Sequence, residues 1–327
     1  AAIGQGAAAN TTGVRNSAFG NTALNQNVSG TDNAAFGHEA LYFNTASNNA
    51  AFGCQALHDT TGSNNTAVGF KAGYFTTTGG SSVAVGAFAL QFNTTGPNNI
   101  AIGYEALNGN TTAADNTAVG YQALKANTAA YNTAVGVRAM YLNTSGTQNA
   151  AFGQDVMGAN TTGSYNAAFG AAGALNGNTT GSNNTAVGNN ALRVNTTASD
   201  NTAVGYNSAY SNTTGTQNTS VGGNSLLSNT TGGNNVAVGR SALYYNTTGG
   251  TNTAVGKQAM ESNTTSDANT AVGYQALFSN TTTYYNTAVG YQAAYNTVSG
   301  DNAAFGFQSL YSNTTGAQNT AVGYQAL

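Results

Sequence analysis

The sequence predicts an all-β chain, a parallel β-solenoid or β-roll of about 19 coils of 16–18 residues, on three observations. A glycine preceded by Val, Ile or Phe recurs twenty times, from Gly4 and Gly20 to Gly306 and Gly323, at gaps of 16, 17 or 18 residues. Short apolar segments such as Val83-Ala84-Val85, Ile100-Ala101-Ile102 and Val236-Ala237-Val238 place branched residues at i and i+2, the alternation of a strand. Each unit then closes on turn formers, most often Asn-Thr-Thr-Gly. A helical repeat would need apolar residues at i, i+3, i+4 and i+7 and few glycines, and the chain has 43.

The unit is close to N-T-A-V-G-Y-Q-A-L-x-x-N-T-T-G-x-x, and residues 1–327 read as a single array of it. The first element is the strand before the marker glycine, where alanine stands two before the glycine in 19 of 20 units and Ser220 in the other. The second is a short segment ending in Leu or Met four after the glycine, expected as a second strand, and the third is the turn. All 17 charged residues fall outside the Val/Phe and Leu columns, so those columns are expected to form the narrow core. Parallel stacking at about 4.8 Å per coil predicts a length on the order of 90 Å. The array begins and ends inside near-consensus units without capping coils, which predicts continuation into a longer fibre or end-to-end stacking.

Asparagine stands four before the glycine in 18 of 19 places, Ser82 being the exception. This suits an amide ladder between coils, and the alternative is an asparagine that starts the strand in left-handed geometry. If Val or Phe points into the coil, alternation turns Ala118, Ala186 and Ala254 outward. An outward alanine kept so strictly predicts a packing interface and lateral self-association as a homotrimer. The alternative is intramolecular, with two walls of a flattened coil pressed together.

The segment N-x-A-V/F-G followed by small residues resembles the head repeats of trimeric autotransporter adhesins. It is similar also to the N-T-A-V-G-Y-Q-A-L arrays of bacterial surface and phage tail-fibre proteins. The resemblance covers the whole chain and implies a left-handed β-roll, a trimer and an extracellular, cell-surface or virion-fibre location. The chain departs from the adhesin heads in its longer unit, with N-T-T-G supplying the extra turn.

Only 5% of residues are charged and the net charge is −3, which gives no electrostatic footprint for nucleic acid. No apolar run approaches a bilayer span, and the single cysteine precludes an internal disulfide. Nineteen copies of one coil do not make an active site, so the expected function is a non-catalytic structural or adhesive fibre segment without cofactor. The alternative is a glycan- or ice-binding solenoid. Ice binders use T-x-T on a flat sheet, whereas Thr213-Thr214 are adjacent and read as turn.

Four sets of candidate residues remain. His38 and Cys54 each follow a marker glycine and stack as neighbours, with Glu39 and His58 close by, a weak metal or thiol–base candidate set against a variable outward column. Glu39 and Asp59 are the nearest pair of carboxylates for glycoside hydrolysis, but they occupy different columns. Seventeen N-x-[ST] sequons occur, and Asn93, Asn110, Asn160, Asn195, Asn212, Asn229, Asn246, Asn263, Asn280 and Asn313 are candidates for glycan attachment. The competing reading is a turn consensus that spells a sequon by accident. Tyr274, Tyr291, Phe307 and Tyr324 share the column after the glycine in consecutive coils, an aromatic strip that would pack sugar rings or another filament, or else stiffen the sheet.

Overall fold

The computed structural model describes residues 1–327 and contains no helix, so no helix is long and apolar enough to cross a membrane. Two compact units, Ala1–Thr162 and Gly163–Leu327, are each a parallel β-solenoid. In the first unit the strands before the marker glycines run from Ala2–Ile3 and Ser17–Phe19 to Thr133–Val135 and Ala150–Gln154, each parallel to the next. The second unit repeats this from Ala167–Ala172 and Thr185–Val187 to Thr320–Val322. Register is strict: Thr117, Ala118 and Val119 face Thr133, Ala134 and Val135.

The inward column is the reverse of the one expected. Ala118, Ala186 and Ala254 are wholly buried within their own coils. Val68 and Phe52, in the column before the glycine, are 40% and 41% exposed. The Val/Phe column therefore lies outside, and the alanines cannot be an interface between copies. The reason is volume: the strand packs across a narrow interior against the alanine three and the leucine four after the glycine, such as Ala123 and Leu124, both fully buried. One serine cluster displays this facing directly. Ser220, the single exception in its column, donates to the Ser225 carbonyl (3.0 Å) and lies 2.8 Å from the Ser208 hydroxyl and 2.7 Å from the Ser225 hydroxyl. Both partners stand three after a marker glycine, so three core alanines are exchanged together for three mutually satisfied hydroxyls.

The segment after the glycine is not a second strand. Gln122 and Leu124 take φ of 55° and 51°, and these left-handed residues alternate with ordinary ones into two tight turns. The Ala123 N–H donates to the Gly120 carbonyl (3.3 Å) and the Asn127 N–H to the Leu124 carbonyl (3.1 Å). Stacking continues through the turns, since the Leu124 N–H donates to the Ala139 carbonyl of the next coil (3.0 Å). Burial of the leucine offsets a left-handed cost of roughly 1–2 kcal/mol. A second strand pair occurs only at Phe43–Asn44 and Asp59–Thr60, further along the coil. The marker glycine itself is required at Gly120, where φ is +134° and an added Cβ would lie 2.4 Å from the Gly136 carbonyl oxygen.

Two asparagine ladders hold the coils together. In the expected one, the Asn116 backbone N–H donates to Asn99 Oδ1 (3.0 Å) and the Asn132 N–H to Asn116 Oδ1 (3.0 Å). Ser82 preserves it, its hydroxyl oxygen accepting from the Asn99 N–H (3.1 Å). Left-handed geometry belongs instead to the preceding residue, such as Asp115 at 58° or Asn98 at 59°. The second ladder uses the asparagine of N-T-T-G. Asn110 Nδ2 donates both to Asn93 Oδ1 (2.8 Å) and to the Ala113 carbonyl of its own turn (3.0 Å). The next threonine adds a hydroxyl ladder, as where Thr94 Oγ1 donates to the Thr111 carbonyl (2.9 Å).

Charged residues pair between coils at the surface, as Arg138 does with Asp155 (2.9 Å). Lys125 Nζ sits 2.7 Å from Glu105 Oε2, and this hydrogen bond, helped by Gln122, holds the Glu105 carboxyl below its ordinary range. A lowered folded value means stability present above the unfolded pKa of about 4.3 and lost as pH falls through the folded one. Both groups are partly exposed, so Glu105→Gln is expected to cost under about 1 kcal/mol at pH 7 and progressively less as pH falls through the folded value, read from urea midpoints.

Candidate functional site

The aromatic strip forms as its column predicts. Ring centroids of Tyr274 and Tyr291, Tyr291 and Phe307, and Phe307 and Tyr324 are 5.1, 5.1 and 5.0 Å apart, with interplanar angles of 22°, 8° and 6°. A second ladder, Phe278–Tyr295–Tyr311, stacks in the same coils at 5.0 and 5.2 Å. In the column next to the strip the glutamines also pair, Gln292 Nε2 donating to Gln275 Oε1 (2.8 Å) and Gln308 Nε2 to Gln292 Oε1 (2.9 Å). Burial, with Tyr311 and Tyr274 nearby, pushes the Tyr295 phenol above its ordinary pKa. Because each ring lies face to face with the next, the faces a sugar would stack on are taken up within the ladder, and edges and hydroxyls face outward.

The sequon asparagines are placed for structure. Asn93, Asn110, Asn160, Asn195, Asn212, Asn229, Asn246, Asn263 and Asn280 have no exposed surface, and Asn313 is half-buried. Attaching a glycan at Asn229 Nδ2 would break its bonds to Asn212 Oδ1 (2.8 Å) and the Gly232 carbonyl (2.9 Å). The buried nine are thus corrected from glycan sites to ladder residues. Exposed sequon asparagines are Asn10, Asn64 and Asn183. The turn threonines expected to be poor ice contacts lie in turns, and the Thr213 hydroxyl donates to the Thr230 carbonyl (3.0 Å).

His38, Cys54, Glu39 and His58 do come together. Cys54 Sγ is 3.8 Å from His38 Nδ1, and Glu39 Oε2 is 3.8 Å from both His38 Nδ1 and His58 Nε2. Glu39 also accepts from Gln55 Nε2 (2.7 Å), while His58 Nδ1 is 2.8 Å from Asp59 Oδ1. His58 is stacked between Tyr42 and Tyr74 at 5.2 and 4.8 Å. Burial, with the Asp59 and Glu39 carboxylates close, raises the Tyr74 phenol pKa. No group of three or more His, Cys, Asp and Glu side chains is placed to hold a metal ion. Glu39 and Asp59 lie on opposite ring nitrogens of His58, at Nε2 and Nδ1 respectively.

Sequence reasoning missed the outward sheet face. Its two columns hold residues such as Thr185 and Val187, or Thr287 and Val289, and no charged side chain. Phe169, Val187, Val289 and Phe305 are 36–40% exposed. The signal was the alanine column itself: a position that tolerates only Ala or Ser is short of space and therefore inside. Compared with protein-family models, curated proteins and solved structures, the chain matches none.

Proposed function

We propose that the chain is a non-catalytic segment of an extracellular structural or adhesive fibre, in which copies associate laterally through the outward face of the sheet. The carrying observation is that face: uncharged, in strict register, and lined by a hydrophobic column that is about one-third exposed. At on the order of 50 Å² per side chain, ten strands leave roughly 500 Å² of apolar surface per unit, at the upper end of what a monomer usually exposes. With the threonine column added, this approaches the roughly 800 Å² each partner gives to a stable interface. A homotrimer and a cell-surface or virion location rest on the resemblance to adhesin heads and fibre repeats. A net charge of −3 gives no reason to include nucleic acid among the partners.

The test is a triple variant, Val187→Lys, Val238→Lys and Val289→Lys, compared with the parent by light scattering after size exclusion. The parent is expected at three times the 32.7 kDa chain mass and the variant at one, with the same far-ultraviolet circular dichroism. A monomeric parent removes lateral association, and a variant that stays assembled places the interface elsewhere.

A further inference from the structure

One turn breaks the repeat in a way that neither the core nor the ladders explain. Between Gly273 and Gly290 the turn reads Asn280-Thr281-Thr282-Thr283-Tyr284-Tyr285-Asn286, with threonine at the usual glycine and two tyrosines where small or polar residues are common. Thr283 fits because its hydroxyl donates to Asn280 Oδ1 inside the turn. The tyrosines gain little burial, being 44% and 68% exposed. Tyr285 holds φ of 59°, the left-handed conformation that this position has in every coil, Tyr131 and Tyr165 included. What sets this turn apart is the pair of adjacent exposed tyrosines, since Tyr131 and Tyr165 at the equivalent position each follow a small residue, Ala130 and Ser164.

These rings differ from the stacked ladders. Tyr284 and Tyr285 contact each other at 6.3 Å with a tilt of 46°, and neither stacks on a ring of another coil. Both line a groove of about 340 Å³ together with Thr282, Thr283, Gly300 and Asp301. The groove is shallow and open, which suits one ring seated on the surface and not an enclosed ligand. The Asp301 N–H donates to the Tyr284 carbonyl (3.1 Å), which fixes one wall to the other. The Asp301 carboxylate has no partner in the chain and is exposed.

We propose that Tyr284, Tyr285 and Asp301 form a binding subsite for a neutral pyranose unit of a polysaccharide. A pyranose ring presents a C–H face that packs on an aromatic face, and rim hydroxyls that donate to a carboxylate. The unpaired Asp301 carboxylate disfavours acidic sugars. The subsite does not depend on lateral association, and chain mass and sugar binding are separate readouts.

Saturation-transfer NMR on the full chain, with maltohexaose, cellohexaose and chitohexaose (the N-acetylated form) as probes, tests it. At least one probe is expected to receive saturation at its ring C–H protons. The double variant Tyr284→Ala/Tyr285→Ala abolishes that transfer, and Asp301→Asn weakens binding about tenfold, roughly one hydrogen bond to a charged group. Tyr291→Ala, in the stacked strip, leaves binding unchanged. Absence of transfer to all three probes overturns the proposal. So does undiminished binding by the double variant with parental circular dichroism, or loss of binding in Tyr291→Ala alone.

Discussion

Lysine in place of Ala186 is expected to unfold the second unit. The Ala186 side chain has no exposed surface and lies in register with Ala168 before it and Ala203 after it, both equally buried. Four methylenes and an ammonium cannot fit a space kept for one methyl group, and no buried carboxylate waits to pair with the charge. Overpacking costs roughly 1–3 kcal/mol, and an unpaired buried charge adds several more. The sum, above about 5 kcal/mol, is comparable to the whole stability of an ordinary domain. Val187→Lys, one residue on and 37% exposed, is expected to keep the β-type circular dichroism and a urea midpoint within about 1 kcal/mol of the parent. Were Ala186→Lys folded and Val187→Lys unfolded, the inward and outward columns would have to be exchanged.

Asn229→Leu carries the next largest effect. Leucine matches asparagine in size but removes a carboxamide that makes three buried bonds, to Asn212 Oδ1 (2.8 Å), to the Gly232 carbonyl (2.9 Å) and from Asn246 Nδ2 (2.7 Å). The Gly232 carbonyl keeps a second donor in Asn218 Nδ2 (2.9 Å), so the damage falls mainly on Asn212 and Asn246. Two stranded buried groups at roughly 1–3 kcal/mol each give about 3–5 kcal/mol, measured by urea unfolding. Thr230→Val, which removes one half-buried hydroxyl bond to the Thr247 carbonyl, is expected to lose only about 1 kcal/mol.

The period, the strand before each glycine, the parallel stacking and the first asparagine ladder were all legible in the sequence. Each follows from a column that repeats, and a repeating column in a solenoid is a line of contacts. Alternation, however, fixes only which residues share a side, and not which side is inside. Hydrophobicity placed Val119 within and Ala118 without, while the volume available between the strand and the turn carrying Ala123 and Leu124 decides the opposite. The serines at 208, 220 and 225 held the answer, because three polar residues appear together in one core only when they satisfy each other.

The second strand failed for a related reason. Tyr121-Gln122-Ala123-Leu124 has the composition of a strand, but left-handed φ at Gln122 and Leu124 rolls it into turns, and leucine is a poor sequence marker for that geometry. Sequons misled because Asn-Thr-Thr satisfies a modification consensus and a ladder equally well, and only burial separates the two. The aromatic strip was found by its column, yet the consequence of stacking, that ring faces are covered by their neighbours, needed the interplanar angles.

The carboxamide ladder inside each coil is the centre of this account, and hydrogen exchange of the asparagine side-chain Nδ2 protons, followed by NMR in deuterium oxide, tests it most directly. The Asn195, Asn212, Asn229, Asn246 and Asn263 protons are expected to persist and to exchange only through opening of the coils, while those of an exposed residue such as Asn64 vanish at once. Exchange of the ladder protons at the rate of Asn64 would contradict the buried ladder and the inward assignment built upon it.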